Sequence, residues 1–173
     1  EGIAALAVWD GETWAGVGGG VSGGEVLAMA VVQEELYVAG SITEAGGIPI
    51  QGVAVWDSRA WRAVGIVKGS VSAMAVWGSM LIIGGRFSTV DAVPVDNVAK
   101  LASGRWARFD GGYGFDREVH SIAEVDGCIY FGGSFKNVTQ RSADGALASI
   151  NEVVHAARAC RTESGAIGPV QGM

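Results

Sequence analysis

The chain has 173 residues and a formal net charge of −6, with 12 basic residues against 18 acidic ones. No three basic residues stand in a run, which argues against nucleic acid as a partner. Apolar residues make up 49% of the chain, so it can bury a sizeable core, and the longest apolar runs, such as 3–9, are too short to span a bilayer.

The first predicted elements form a half unit at residues 1–18. It holds two β-prone segments, 6–10 (LAVWD) and one that begins at Trp14, and the pair Asp10-Gly11 joins them by a tight turn. Because the chain starts with Glu rather than Met, we expect this end to be internal or processed.

A complete unit follows at 26–64 and contains four such segments, which we name strands A to D. Strand A is 26–31 (VLAMAV), strand B is 36–42 (LYVAGSI), strand C is 53–57 (VAVWD), and strand D begins at Trp61. Each has the length and composition of a β-strand. The half unit before it matches strands C and D.

The same order returns at 71–109 and at 119–158. Strand B reads LIIGGRF at 81–87 and IYFGGSF at 129–135, at offsets of 45 and then 48 residues. Units of this length, rich in β-formers and turn glycines, are typical of β-propeller blades. The sequence therefore predicts one all-β domain over 1–173, built as a propeller with four-stranded blades.

The third unit is degenerate towards its end. Ile150 stands at the position of Trp56 in strand C, and His155 stands at that of Trp61 in strand D. The segment 153–161 is the one candidate helix, but the register of the repeat favours strand D there.

The last residues, 168–173 (GPVQGM), match 69–74 (GSVSAM) and predict the strand A that starts a further blade. The chain then holds about three complete blades plus partial ones. Propellers carry four to eight blades, so we expect a segment of a larger ring. In the alternative, the half unit at 1–18 and this strand A join into one blade and close a four-bladed ring.

The glycine pairs that end strand B, Gly84-Gly85 and Gly132-Gly133, resemble those of a kelch repeat, as does the tryptophan that follows. The fuller pattern, VWDG…W, LYVAGS and AGGIP, is similar to kelch-like repeats of secreted and cell-surface proteins. Examples are the central propeller of galactose oxidase and fungal cortical cell-polarity markers. The match covers residues 3 to about 150.

This resemblance implies that the blade tryptophans pack against the next blade. It also implies that the glycines allow close backbone approach near the central channel. The copper ligands of galactose oxidase have no counterpart in the sequence, so its oxidase activity is not implied.

Two catalytic patterns arise from the glycine content. Residues 18–23 satisfy G-x-G-x-x-G and residues 20–24 satisfy G-x-S-x-G, but both motifs require a following helix, and strand A is predicted here. The histidines, His120 and His155, lack metal-ligand spacing. We expect no catalytic, cofactor-binding or metal-binding residue.

Two features bear on the compartment of the protein. Cys128 and Cys160 lie in the third unit and form either a disulfide, if the protein is secreted, or two buried free thiols. Asn137-Val138-Thr139 is an N-glycosylation sequon in the predicted B–C link. Glycosylation of Asn137 requires a eukaryotic secretory route.

A partner is expected on the face where the B–C and D–A links emerge, because loops on a rigid scaffold commonly carry recognition. The D–A link at 111–118 combines aromatic and charged side chains, and Trp77 is the one tryptophan outside the repeat positions, at an A–B turn where it could be exposed. The candidate binding residues are Tyr113, Phe115, Asp116, Arg117, Lys68, Arg86 and Trp77.

These features favour a non-enzymatic scaffold, extracellular or on a cell surface, that displays its links to a protein or glycan partner. One alternative is a carbohydrate-binding or enzymatic propeller whose site lies in blades absent from this chain. Another is a structural subunit whose open blade edges pair with another chain.

Overall fold

The structure is a computed structural model that describes residues 5–152, 155–161 and 170–172. These residues form an all-β protein of antiparallel sheets, which confirms the predicted fold class at that level. No sheet in this part of the chain closes on itself. Along the chain the strands are β1 (Ala7–Trp9), β2 (Trp14–Gly16), β3 (Val21–Ser22), β4 (Val26–Val32), β5 (Glu35–Gly40), β6 (Glu44–Ala45), β7 (Ile48–Pro49), β8 (Gly52–Trp56), β9 (Trp61–Trp77), β10 (Met80–Val90), β11 (Val93–Pro94), β12 (Val98–Ala102), β13 (Arg105–Arg108), β14 (Tyr113–Phe115), β15 (Val119–Val125), β16 (Cys128–Gly133), β17 (Asn137–Arg141), β18 (Leu147–Glu152), β19 (Ala156–Cys160) and β20 (Gln171–Gly172).

None of the described residues belongs to a helix of the length and apolarity that a membrane crossing requires.

Four-stranded antiparallel meanders recur along the chain, and we call them units 1, 2 and 3. Unit 1 is β4-β5-β8 with the first part of β9, unit 2 is the last part of β9 with β10-β12-β13, and unit 3 is β15-β16-β19-β20. Strands B and C pair in the same register each time, as in Leu36 opposite Trp56 and Leu81 opposite Leu101. The half unit is the hairpin β1-β2.

Units 1 and 2 are joined by one continuous strand. β9 runs from Trp61 to Trp77, pairs first with β8 and then with β10, and so serves as strand D of one unit and strand A of the next. The loop expected between strands D and A is therefore an extended segment here. Gly65 and Gly69, with φ of 82° and 138°, supply backbone conformations that other residues rarely adopt.

The end of unit 3 differs from the prediction. Strand C is β19, whose residue Ala159 lies opposite Ile129 of strand B, and it is not the segment around Ile150. That segment belongs to β18, which forms a hairpin with β17 inside a longer B–C link. The predicted strand at 153–161 exists from Ala156 onward, but it is strand C rather than strand D.

His155 has a role different from that of Trp61. It has a φ of 68° immediately before strand C, as Gly52 (94°) and Asn97 (63°) have in the other units. Its backbone carbonyl accepts a hydrogen bond from Gly133, as that of Asn97 does from Gly85. His155 is thus the turn residue that directs the chain into strand C.

The C-terminal segment also differs from the prediction. β20 pairs with β19 as the fourth strand of unit 3, so residues 171–172 are not the strand A of a further blade. This pairing also contradicts the alternative in which that segment joins the half unit to close a four-bladed ring. Residues 168, 169 and 173, like 1–4 of the half unit, lie outside the described residues.

In every unit the link before strand A pairs with the B–C link, and in units 1 and 3 this pairing forms a second, smaller sheet. In unit 1 this sheet is β3-β6-β7, and in unit 3 it is β14-β17-β18. In unit 2, Val67 of β9 pairs with Val90 of β10, which pairs in turn with β11. The D–A and B–C links therefore lie together, as the alternation of strand direction predicts.

Tryptophans of strands C and D pack on glycines of the preceding unit. A Cβ atom on Gly18 would collide with the rings of Trp56 and Trp61, and one on Gly65 would collide with that of Trp106. The structure thus places these rings between neighbouring units, on the side of the preceding unit.

The disulfide of unit 3 joins the ends of its two central strands. Cys128 and Cys160 lie opposite each other in β16 and β19, with their Cα atoms 4.0 Å apart and a sequence separation of 32. Of the two alternatives drawn from the sequence, the structure contains the disulfide.

We expect the double substitution Cys128→Ser/Cys160→Ser to lower the free energy of unfolding by about 3 kcal/mol, because a crosslink of this loop length restricts the unfolded chain. Urea denaturation under non-reducing conditions measures the change. Wild-type protein in excess reductant is the matched control and should unfold at the same urea concentration as the variant. Equal midpoints for oxidised wild type and variant would contradict the crosslink.

The hairpin turn of unit 1 carries two non-glycine residues in the left-handed region, Gln33 (φ 49°) and Glu34 (φ 67°). Glu34→Gly should raise the free energy of unfolding by about 1 kcal/mol, because glycine adopts this conformation without the steric cost of a Cβ atom. Gly104→Ala is the reverse control: its φ is 74° and a Cβ there meets no atom within 4 Å. Gly104→Ala should lower the free energy of unfolding by a similar amount, and urea denaturation measures the change in both variants.

Candidate functional site

The candidate site lies where the links of units 2 and 3 meet. Two depressions of about 300 and 400 Å³ adjoin there and share Arg86 and Asn97. We call them together the Arg86 cleft, and the polar side chains that line it are Lys68, Arg86, Ser88, Asp96, Asn97, Asp116, Arg117, Glu118 and Ser134.

Asn97 fixes the floor of the cleft. Its left-handed backbone precedes strand C, its side-chain Oδ1 accepts a hydrogen bond from the backbone N–H of Phe87 (3.1 Å), and its Nδ2 donates to the carbonyl of Phe115 (2.8 Å). One side chain therefore ties strand B of unit 2 to the first link strand of unit 3. Since Arg86 precedes Phe87, these bonds also position the backbone that carries Arg86.

Asp116 is a structural residue of the cleft wall. Its carboxylate accepts hydrogen bonds from the backbone N–H groups of Lys136 (2.8 Å) and Asn137 (2.9 Å) and from Nδ2 of Asn137 (2.9 Å). Partial burial raises the pKa of Asp116, but these hydrogen bonds and the nearby charge of Arg117 outweigh it and hold the pKa below its usual value. The carboxylate therefore stays ionised and bound to the chain.

The three basic residues predicted for this face remain free. Lys68, Arg86 and Arg117 are exposed. In the described part of the chain, none of them forms an ion pair, since the pairs present join other residues. Their charged groups are therefore available to a ligand in the cleft.

Glu118 is another carboxylate of the cleft. Its Oε1 accepts a hydrogen bond from the hydroxyl of Ser72 (3.0 Å) and lies 3.7 Å from Nδ1 of His120. His120 thus lies at the rim of the cleft, exposed, on the first strand of unit 3.

The two aromatic candidates of the 111–118 link do not line the cleft. Phe115 is 2% exposed, because it lies in β14 and stacks on Phe135 with ring centroids 4.2 Å apart. Tyr113 is half-buried and packs against the same hydrophobic cluster. The expected binding loop is a turn followed by a strand, so both rings belong to the core.

Trp77 is also a core residue, contrary to the expectation that its position at a turn leaves it exposed. It is 1% exposed, and its Nε1 donates to the carbonyl of Gly127 in unit 3 (2.9 Å). The guanidinium of Arg161 lies over the ring, 5.2 Å from its centroid. Such a ring is buried because its N–H has a partner and its faces are covered.

The sequon lies in a strand rather than in an open loop. Asn137 begins β17 and donates its side-chain N–H to Asp116, while the hydroxyl of Thr139 is buried without a hydrogen-bond partner in the described residues. Glycosylation of Asn137 stays a prediction. A glycan on Nδ2 would have to share that nitrogen with the bond to Asp116.

A further cavity of about 850 Å³ lies between β13 and the β17-β18 hairpin. Its charged groups already have partners. Lys100 pairs with Asp110, Arg108 donates to the carbonyls of Pro94 and Ser142, and Arg141 binds Asp96 through two hydrogen bonds. The hydrogen bonds around this cavity join units 2 and 3. They engage its charged side chains, so few of these are left to bind a ligand.

The sequence did not single out Asn97, Glu118 or Ser134. The signal for Asn97 is its alignment with Gly52, since asparagine is the residue that most readily replaces glycine in the left-handed region. Among the described residues, no group of three or more histidine, cysteine, aspartate or glutamate side chains is placed to hold a metal ion. Comparison of the chain with protein-family models and with curated proteins gives no match.

Because its folded-state pKa is lowered, Asp116 contributes stability above its unfolded pKa of about 3.8, and this contribution is lost as the pH falls through the folded value. Asp116→Ala should cost about 1 kcal/mol at pH 7 and progressively less below pH 4. Urea denaturation at pH 7, 4 and 3 measures this. Glu12→Ala, which removes an exposed carboxylate that caps no backbone group, should track the wild type throughout.

Proposed function

We propose that the chain is a segment of a β-propeller with kelch-like blades and that it acts as a non-enzymatic scaffold. Its links bind a protein or glycan partner, outside the cell or on its surface. Three four-stranded meanders with a common B–C register, packed through tryptophan–glycine contacts, support the blade assignment. The disulfide supports an oxidising compartment.

One observation carries the binding role. The links pair with each other in all three units, in small sheets in units 1 and 3 and within the large sheet in unit 2. The face that they form is therefore rigid, and free cations line its cleft. A rigid surface loses little conformational entropy when a partner binds, which favours recognition.

The test compares the link face with the opposite face, which carries the A–B and C–D turns. Labelled wild-type protein is applied to intact cells and to a glycan array, alongside Arg86→Glu on the link face and Arg59→Glu on the turn face. We expect Arg86→Glu to abolish most binding and Arg59→Glu, with the same change in charge, to retain it. Equal loss in both variants, or no wild-type binding, would refute the proposal.

A second candidate is a structural subunit that associates through an open blade edge. β4 is the edge strand of its sheet and exposes Leu27, Met29 and Val31, by 46%, 54% and 62%. The equivalent of Met29 in unit 2, Met74, packs against the cluster that contains Ala39 of unit 1. The exposed apolar row therefore resembles a surface that packs against a neighbouring unit, but here it faces solvent.

If this edge mediates assembly, Met29→Lys should shift the protein from a concentration-dependent oligomer to a monomer, because a charge cannot be buried in an apolar contact without cost. Light scattering during size-exclusion chromatography measures the mass. Gln33→Lys, at the exposed turn next to the same strand, is the matched control. A wild-type protein that stays monomeric at high concentration would remove this candidate.

A further inference from the structure

The basic residues of the Arg86 cleft are not required by the repeat. The position of Arg86 in strand B is Ser41 in unit 1 and Ser134 in unit 3, and that of Arg117 is Gly24 in unit 1. Equivalent strands therefore form without a cation there. The three cations also converge on one site in a chain whose net charge is −6.

The carboxylates around these cations are already engaged. Asp96 binds Arg141 at 2.6 and 2.7 Å, and Asp116 caps the backbone of 136–137. Asp116 and Glu118 line the same depression as Arg86 and Arg117, and Glu118 also accepts a hydrogen bond from Ser72. The positive groups thus exceed the acidic groups that could neutralise them.

The polar groups of the cleft are suited to a hydroxylated ligand. Ser88 and Ser134 line the two depressions together with Arg86, and each hydroxyl can donate or accept a hydrogen bond. The apolar side chains nearest to the cleft, Phe87, Val95 and Phe115, are at most 3% exposed. A protein partner usually needs an exposed apolar or aromatic anchor, and the cleft presents none.

The geometry points to an acidic polysaccharide as the ligand of the Arg86 cleft. Arg86 and Arg117 bind successive carboxylate or sulfate groups of the sugar chain, Lys68 binds the next one, and the serine hydroxyls bind sugar hydroxyls. Guanidinium groups bind such planar or tetrahedral anions through paired, charge-assisted hydrogen bonds. This inference rests on the proposed function and specifies the chemistry of its partner.

Isothermal titration calorimetry tests it on the whole chain with four probes: hexagalacturonate, a sulfated dextran oligosaccharide, neutral maltohexaose, and a hexaglutamate peptide. We expect binding of at least one of the two acidic sugars, weaker binding at 500 mM than at 50 mM NaCl, and none of maltohexaose. The first two probes distinguish a carboxylate-bearing from a sulfated ligand.

Two double variants with equal charge complete the experiment. Arg86→Gln/Arg117→Gln should weaken binding of the acidic sugar at least about tenfold, since two charge-assisted bonds are lost. Arg59→Gln/Arg105→Gln removes the same charge from exposed sites outside the cleft and should change affinity less than about twofold, because distant charges are screened. Unfolding midpoints of all variants confirm that each is folded.

Three outcomes would overturn the inference: neither acidic sugar binds, both double variants lose affinity equally, or hexaglutamate binds as tightly as the sugars. In any of these cases, a loss of cell or glycan-array binding in Arg86→Glu would leave the proposed scaffold intact with a different partner. If Arg86→Glu and Arg59→Glu behave alike on cells, the scaffold proposal itself fails.

Discussion

The left-handed residue before strand C is the constraint on which the arrangement of the units depends. Gly52, Asn97 and His155 fill it in turn, and each redirects the chain from the B–C link into the central sheet. With asparagine there, the side chain gains two hydrogen bonds that glycine cannot make, one to unit 2 and one to unit 3. Asn97 thus combines a turn conformation with a connection between units, and the cleft forms around it.

Pairing of the two links follows from this turn. Once strand C starts at a fixed residue, the B–C link has to fold back, and its hairpin meets the link that precedes strand A. The backbone groups of both links are then satisfied by each other, as buried polar groups require. This explains why the links are strands rather than loops, and why the aromatic side chains of the 111–118 link turn into the core.

The sequence predicted units 1 and 2 well because local and global preferences agree there. The alternating pattern of the strands, the turn glycines and the repeated tryptophans all indicate the same pairing of strands. In unit 3 they disagree: Leu147 to Ile150 has the pattern of strand C, but the true strand C, Ala156–Cys160, is rich in alanine and has no tryptophan. The B–C link of unit 3 is longer than those of units 1 and 2 and contains a strand of its own, β18. Sequence spacing alone could not show whether β18 or β19 pairs with β16. The burial of Trp77 was missed for a related reason, since its partners, Gly127 and Arg161, are distant in sequence.

The sequence predicted several of the residues that form the candidate site, but it could not predict which of their charges are paired. Sequence reasoning named Lys68, Arg86, Asp116 and Arg117 together, and the structure brings these four into one cleft. Which charges are free depends on tertiary contacts that spacing does not reveal. The carboxylate of Asp116 accepts hydrogen bonds from the backbone at 136–137, and that of Asp96 accepts them from Arg141, 45 residues away. Asp116 and Asp96 hold the links in place through these bonds, while Lys68, Arg86 and Arg117 are exposed and form no ion pair among the described residues. A chain with a net charge of −6 can therefore present three cations to solvent without giving up the bonds that stabilise its links.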